Sequence, residues 1–377
     1  MVKKIFICIF ICIVALQMSV LGNSNTFQSS NIICIERNTG RVLFNKGGFE
    51  KKKIASLTKL LTAVVVCENV DLDDTFVVSK KAAQIGGSTV GIKAGENIKV
   101  KNLLYGLLLS SGNDCAICLA EGVAGSVENF SMKMNKKARE IGAKNSNFIT
   151  PHGLDNENHY STCMDMAKIM NYAMKNKEIA KIISTKNIDV NFGSFNKSLK
   201  NTNRLLHKYP YITGGKTGFT NGAQRCLAVS AKKDDLEVIC IVLGSETTDI
   251  RFNEAKEVID YCLENYRLVD VSKQMKWYIN IDVEKGNIAK YEDYIKGNLI
   301  YPLKQEEVEK IRVSQEFIPI IKAPLNKGSV IGEIELYIED ELIYTNKVKL
   351  KENIYKNNIK DYLNKGLKDM FQLNFHY

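Results

Sequence analysis

Histidine is scarce in this chain: His152, His159, His207 and His376 are the only four among 377 residues, and none stands in a zinc-ligand spacing. A Gly-x-Ser-x-Gly elbow is also missing, so the usual setting of a Ser-His-Asp enzyme is absent. His152 reads instead as a structural member of Pro151-His152-Gly153-Leu154-Asp155. Paired Cys-x-x-Cys motifs are lacking too. Cys115-Ala116-Ile117-Cys118 stands alone, without a second pair or a nearby His, which argues against a zinc site. No basic cluster is interleaved with aromatics, which argues against nucleic acid as a partner. A phosphate loop fails as well: Gly215-Lys216-Thr217 imitates its end, but Pro210 stands where the loop needs its first Gly. No metal or cofactor is therefore expected.

What remains is an ordinary globular composition, 45% hydrophobic and 25% charged, long enough for two domains. Lys3 and Lys4 precede an apolar run from Ile5 to about Leu21, and Val20-Leu21-Gly22 ends it with small or permissive side chains. This reads as a secretory signal cleaved after Gly22; a retained anchor is the alternative, since the run falls just short of the ~20 residues that span a bilayer. Removing two Lys and no acid takes the formal charge from +10 to +8. The Lys residues are scattered through both halves and read as a solvated surface. The cysteines outside the signal lie in apolar stretches, as in Ile33-Cys34-Ile35 and Ile239-Cys240-Ile241, and read as small buried hydrophobes.

Along the chain, Ile32–Ile35 and Arg41–Phe44 flank a turn at Asn38-Thr39-Gly40. A helix is expected from Ser56, with the Ser56 hydroxyl at its N-terminus, and it is apolar on nearly every side, so it belongs in the domain centre. Leu103–Leu109 and Ala116–Ala120 predict two buried helices joined through Ser111-Gly112-Asn113. Lys216-Thr217-Gly218 falls on a strand beside a hairpin formed by Leu227–Ala231 and Val238–Leu243. Beyond Val271 short β-rich segments predict a small all-β domain. Ile359, Leu363, Leu367, Met370 and Phe371 follow at helical spacing, either as a surface-lying membrane anchor or as a helix packed on its own domain.

Three motifs carry the chemistry. Ser56-Leu57-Thr58-Lys59 places Lys59 one turn from the Ser56 hydroxyl, and burial with a second cation nearby, Lys216, would lower the Lys59 pKa until the amine serves as a base. Ser111 would shuttle a proton close to Lys59, and the Asn113 amide would bond a substrate carbonyl or the Lys59 amine. Lys216 and Thr217 would meet a carboxylate, with Gly218 letting the strand run close to the ligand. Each motif alone is ambiguous. Ser-x-x-Lys recurs at Ser194 and Ser230, and Ser-Gly-Asn is by itself a turn.

Together and in this order, behind a signal, the motifs resemble those of the low-molecular-weight penicillin-binding proteins, the serine-type D-alanyl-D-alanine carboxypeptidases, with Gly112 where Asp is also found. Asn203-Arg204-Leu205-Leu206, His159-Tyr160-Ser161-Thr162 and Ala323-Pro324-Leu325-Asn326-Lys327-Gly328 are similar to family stretches too. The resemblance implies an α+β fold: an antiparallel sheet covered by helices on both faces, β-lactamase/transpeptidase-like, followed by a small all-β C-terminal domain. The expected divisions are a signal at 1–22, a catalytic domain at 23–271, a β-rich domain at 272–350 and a C-terminal segment at 351–377 that is often an amphipathic anchor. It further implies Ser56 as the acylated nucleophile, Lys59 as proton acceptor and Ser111 with Asn113 as the rest of the relay. Lys216 and Thr217 would hold substrate, the N–H groups of Ser56 and Phe219 would form the oxyanion hole, and Arg251 would lie near the substrate carboxylate. Val90-Gly91 and the stretch Phe219–Arg225 depart from the family pattern beside the site.

The expected activity is removal of the terminal D-alanine from peptidoglycan stem pentapeptides outside the cell, at the membrane face or in the wall, with β-lactams acylating Ser56. A class A β-lactamase is the nearest rival, but it needs a general-base Glu and no Glu-x-x-Leu-Asn stretch is present. A weakly catalytic wall-binding or β-lactam-sensing protein is the other, and retention of Ser56, Lys59, Ser111, Asn113 and Lys216 argues against it.

Overall fold

The computed structural model describes residues 27–271, 278–294 and 299–358; the expected signal and the helical spacing from Ile359 onward lie outside the described residues. Two compact units divide the chain, the first ending at Tyr266 and the second starting at Arg267.

The first unit begins with a hairpin, β1 (Asn31–Glu36) and β2 (Val42–Lys46). Its longer helices follow: α1 (Thr58–Asn69), α2 (Val100–Leu109), α3 (Asn113–Ala124), α4 (Val127–Ile141), α5 (Cys163–Ala173) and α6 (Lys177–Ser184). The chain then returns to the sheet with β3 (Ile212–Thr220), β4 (Gln224–Lys233) and β5 (Leu236–Ser245) and closes with α7 (Thr248–Asn265). Strand order is β2-β1-β5-β4-β3, and every pairing in it is antiparallel.

Both faces of this sheet are covered, which explains why its central strands are apolar without interruption. Side chains alternate across a strand. Ile33, Ile35, Ile239 and Ile241 therefore join the core shared with α1 to α6. Ile32, Cys34, Val238 and Cys240 are equally buried on the face that carries α7, where Cys34 meets Cys262. α1 runs through the middle of the helical layer and is buried from Thr58 to Val66. At about 25 cal/mol per Å2 of apolar surface removed from water, burial on this scale is the main term holding the unit together. The eight cysteines among the described residues are free thiols, buried except for half-buried Cys67.

The second unit is built from short strands. Ile311–Phe317, Val330–Ile338 and Glu341–Lys349 make one antiparallel sheet, and Tyr278–Glu284 pairs with Lys290–Tyr294 and Ile320–Lys322 in another. Alternation along Tyr278–Glu284, with Ile279 and Ile281 buried between exposed neighbours, is the period of a sheet with one wet face.

Candidate active site

The first motif sits on a bent entry to α1. Ala55–Leu57 form a 3-10 turn, and the α-helix begins only at Thr58. The expected capping role of Ser56 is not what the structure has: no side chain caps either segment, and Ser56 Oγ lies 2.8 Å from Lys59 Nζ instead. The turn takes Ser56 off the helix axis, so its hydroxyl is left for the lysine one turn on. Ala55 holds a left-handed φ of 46°, which is strained for a residue with a Cβ.

Two contacts hold that strain in place. The Ala55 carbonyl accepts from Thr58 Oγ1 at 2.8 Å, and His159 Nε2 lies 2.8 Å from the same hydroxyl. Since the Thr58 proton is committed to Ala55, the ring must donate from Nε2, and its Nδ1 accepts from the Ile149 N–H at 3.1 Å. His159 is therefore a neutral imidazole, and burial, with Lys59 nearby, pushes its pKa down to about 4. Gly153, at φ 83°, presses against the turn from the other side; a Cβ there would come within 2.0 Å of Ala55 O.

Lys59 is wholly buried, and its Nζ has three oxygen neighbours, each at 2.8 Å: Ser56 Oγ, Asn113 Oδ1 and the His152 carbonyl. Burial first and Lys216 second hold its pKa well below the usual lysine value. Asn113 is oriented by its other end, since Nδ2 donates to the Gly86 carbonyl at 2.7 Å. His152 contributes its backbone only. Its ring Nδ1 accepts from the Leu154 N–H at 3.1 Å, and burial pushes its pKa to about 3, so it offers no base for Ser56.

The second motif connects α2 to α3. Ser111 takes a left-handed φ of 60°, and its Oγ accepts from Lys216 Nζ at 3.0 Å. The sequence reading placed the Ser111 hydroxyl next to Lys59; its recorded partner is Lys216, while Asn113 is the member of this motif bonded to Lys59. Next along α3, buried Asp114 accepts from the N–H groups of Val90, Gly91 and Ile92, fixing the loop that brings Ser88 to the cleft.

The third motif lies on edge strand β3. Lys216 is buried, donates to the Thr217 carbonyl at 2.7 Å, and has its pKa pushed down to about 7 by burial and by Arg251. Thr217 Oγ1 is 2.7 Å from Thr202 Oγ1. Gly218 was read as room for a ligand, yet the crowding comes from the protein itself: a Cβ there would lie 3.0 Å from Ser56 N and 3.1 Å from Ala55 Cβ. Glycine lets β3 run directly beside the Ser56 turn. Phe219 is exposed at the cleft with the Arg225 guanidinium over its ring. Arg251, from α7, reaches beneath β3 and donates to the Gly218 and Cys226 carbonyls, both at 3.2 Å.

The structure thus brings the nine sequence-derived residues together. Ser56, Ser111, Thr217, Gly218, Phe219 and Arg251 line a cleft of about 770 Å3, while Lys59, Asn113 and Lys216 are buried beside it. A hydroxyl held by a desolvated amine, with a second hydroxyl–amine pair next to it, is equipment for acyl transfer through an ester. Among the described residues no group of His, Cys, Asp and Glu is arranged to hold a metal. The sequence reading missed the His152 carbonyl, Asp114 and the pairing of His159 with Thr58. Pro151–Asp155 and His159–Thr162 were noticed as stretches, but a backbone carbonyl carries no residue signature.

Comparison with known proteins gives a consistent picture. Residues 18–247 match the family model described as D-alanyl-D-alanine carboxypeptidase, and residues 266–356 match that of the penicillin-binding protein 5 C-terminal domain. D-alanyl-D-alanine carboxypeptidase DacF of Bacillus subtilis is 33% identical over 355 residues, covering 91% of this chain and 90% of its own. DacC of Escherichia coli is 32% identical over 342 residues, covering 85% and 83%. The crystal structure of penicillin binding protein 5 from Haemophilus influenzae superimposes with a TM-score of 0.77 at 26% identity, over 88% of this chain and 98% of that one.

Proposed function

The chain belongs to the D-alanyl-D-alanine carboxypeptidase family, and we propose that it removes the terminal D-alanine of peptidoglycan stem pentapeptides through an ester formed on Ser56. The observation that carries this assignment is Lys59: a wholly buried amine 2.8 Å from the Ser56 hydroxyl. In its neutral form the amine donates two N–H bonds, to Asn113 Oδ1 and the His152 carbonyl, which turns its lone pair to Ser56. Taking the serine proton makes an ammonium whose three donors meet the same three oxygens. The base therefore changes charge without moving.

Ser56 Oγ attacks the carbonyl between the two D-alanines. The backbone N–H groups of Ser56 and Phe219 receive the oxyanion, while Thr217, Lys216 and Arg251 hold the terminal carboxylate. Ser111, bonded to Lys216, passes its proton to the leaving amine and takes up in exchange the one Lys59 removed from Ser56, and water then releases the tetrapeptide. β-Lactams, which offer a strained amide in place of the peptide, acylate the same serine. The enzyme works outside the cytoplasmic membrane, behind a signal ending at Gly22, and the apolar spacing from Ile359 to Phe371 supports a C-terminal hold on the membrane surface.

The test is labelling by a fluorescent penicillin together with D-alanine release from a model pentapeptide. Wild type should do both and Ser56→Ala neither. Covalent label that persists on the alanine variant would remove Ser56 from its role.

A further inference from the structure

Ala55 and Ser56 share one peptide plane, so whatever holds the Ala55 carbonyl also aims the Ser56 N–H, which points the opposite way. In the proposed function that N–H receives the oxyanion. Its direction is set at a strained residue, since Ala55 sits at a φ of 46°, and the carbonyl is therefore held from outside. Thr58 supplies two donors to it, its backbone N–H and its Oγ1 at 2.8 Å.

Behind Thr58 stands His159. Its Nε2 donates to Thr58 Oγ1 at 2.8 Å, its Nδ1 accepts from the Ile149 N–H, and Phe148 meets the ring edge-on with centroids 5.6 Å apart. Both nitrogens are committed and the ring is buried, so it is fixed in place. A pKa of about 4 keeps it neutral at the pH where the lysines work. The donors run in one direction, from the His159 ring to the Thr58 hydroxyl to the Ala55 oxygen. In a buried chain each hydrogen bond polarises the next. Charge drawn to the Ala55 oxygen leaves the Ser56 N–H a stronger donor.

Holding the neighbouring loop does not by itself account for this ring. Thr62, one turn further along α1, already ties that loop to the helix by donating to the Pro151 carbonyl at 2.6 Å. What His159 adds is a grip on the Ser56 turn. We propose that His159 is a positioning residue for acyl transfer: through Thr58 and the Ala55 carbonyl it aims and polarises the Ser56 N–H that receives the oxyanion. This inference rests on the proposed function of the same site. His159 exchanges no proton in it, and its effect falls on the transition state, where the oxyanion forms.

The experiment follows acylation of the full chain by a fluorescent penicillin in single-turnover kinetics, which separate the affinity of the first complex from the acylation rate constant. Asparagine is too short to reach Thr58 but keeps an acceptor near the place of Nδ1; glutamine supplies an acceptor and the longer-reaching donor. In His159→Asn the acylation rate constant should fall about a hundredfold. Affinity of the first complex should stay within about twofold, because the carboxylate-binding groups are untouched. Thr58→Val, which keeps the ring and cuts the link, should match it and asks the same question if the asparagine variant does not fold. His159→Gln should recover the rate to within about fivefold of wild type, and Thr62→Val, which loosens only the loop, should stay within about threefold. Infrared spectra of the acyl-enzyme carry the signature of the donor itself: with an isotope-labelled penicillin carbonyl, the ester stretch should move to higher frequency in His159→Asn and return in His159→Gln.

Acylation of His159→Asn or Thr58→Val within about threefold of wild type overturns the inference. So does an ester stretch that does not move, or a Thr62→Val variant as slow as His159→Asn, either of which makes the ring a part of the scaffold only. Wild-type protein that neither takes the label nor releases D-alanine overturns the proposed function and this inference with it.

Discussion

The two units of the chain treat their interiors differently. In the unit that ends at Tyr266, Lys59, Lys216, Asn113, Asp114, His152, His159 and Arg251 are all buried. In the unit that follows, the interior is apolar apart from tyrosine: Val271, Leu303, Ile334 and Leu336 form one cluster and Ile279, Ile281, Ile321 and Ile331 another. Among the described residues the last buried polar or charged side chain is Glu254. Burying polarity costs stability unless every group is paired, so the contrast marks where the fold tolerates that cost. A lysine gives up its proton near neutral pH only if it is taken out of water, and the first unit does this twice.

The largest effect expected from this contrast is on rate. Lys59→Met keeps the side-chain volume and removes the base, so acylation by a β-lactam should slow by about a thousandfold or more. Unfolding free energy should move by less than about 2 kcal/mol, because loss of a buried amine offsets the two acceptors left at Asn113 and His152. A Met variant that is acylated within tenfold of wild type would show that the buried amine is structural. The complementary change belongs in the other unit. Leu336 is fully buried there, and Leu336→Ala should cost about 2–5 kcal/mol in calorimetric unfolding of that unit. The acylation rate should stay within about twofold; a tenfold loss in protein whose second unit is still folded would tie the apolar unit to the chemistry.

How much of this was legible beforehand depends on the kind of contact. Ser56 and Lys59 are one helical turn apart, so local spacing alone joins them. The apolar runs around Cys34 and Cys240 were legible as strands with buried thiols, the covering of the sheet on both faces came from the family resemblance, and the change of texture after Val271 announces a second, β-rich part. Contacts made by backbone atoms across long separations left no such trace. The His152 carbonyl reaches Lys59 across 93 positions, Gly153 abuts Ala55, and Gly218 is small because of the Ser56 turn rather than because of a ligand. The 3-10 entry to α1 was hidden for a related reason: Ser is a favoured helix cap, and only the tertiary clamp on Ala55 overrides that preference.

The finest distinction between the units is in their response to pH. Lys216 titrates near 7 in the folded chain and near 10.4 when unfolded. Between those values the unfolded chain binds more protons, so stability rises with pH, by at most about 1.4 kcal/mol per pH unit for one lysine. The penalty of burying Lys216 is complete below about pH 7, where the buried amine is charged, and fades as pH climbs toward about 10.4. Buried thiols such as Cys34, Cys115 and Cys163, whose pKa values are raised by burial, act oppositely at high pH, so the informative quantity is a difference. Lys216→Met should be more stable than wild type at pH 7, with the gap closing by pH 10. Because Lys216 also helps depress Lys59, the difference carries the relief of both amines, with the same sign. A gap that stays constant from pH 7 to 10 would mean that Lys216 keeps its proton in the folded state, and the site would then contain one depressed lysine instead of two.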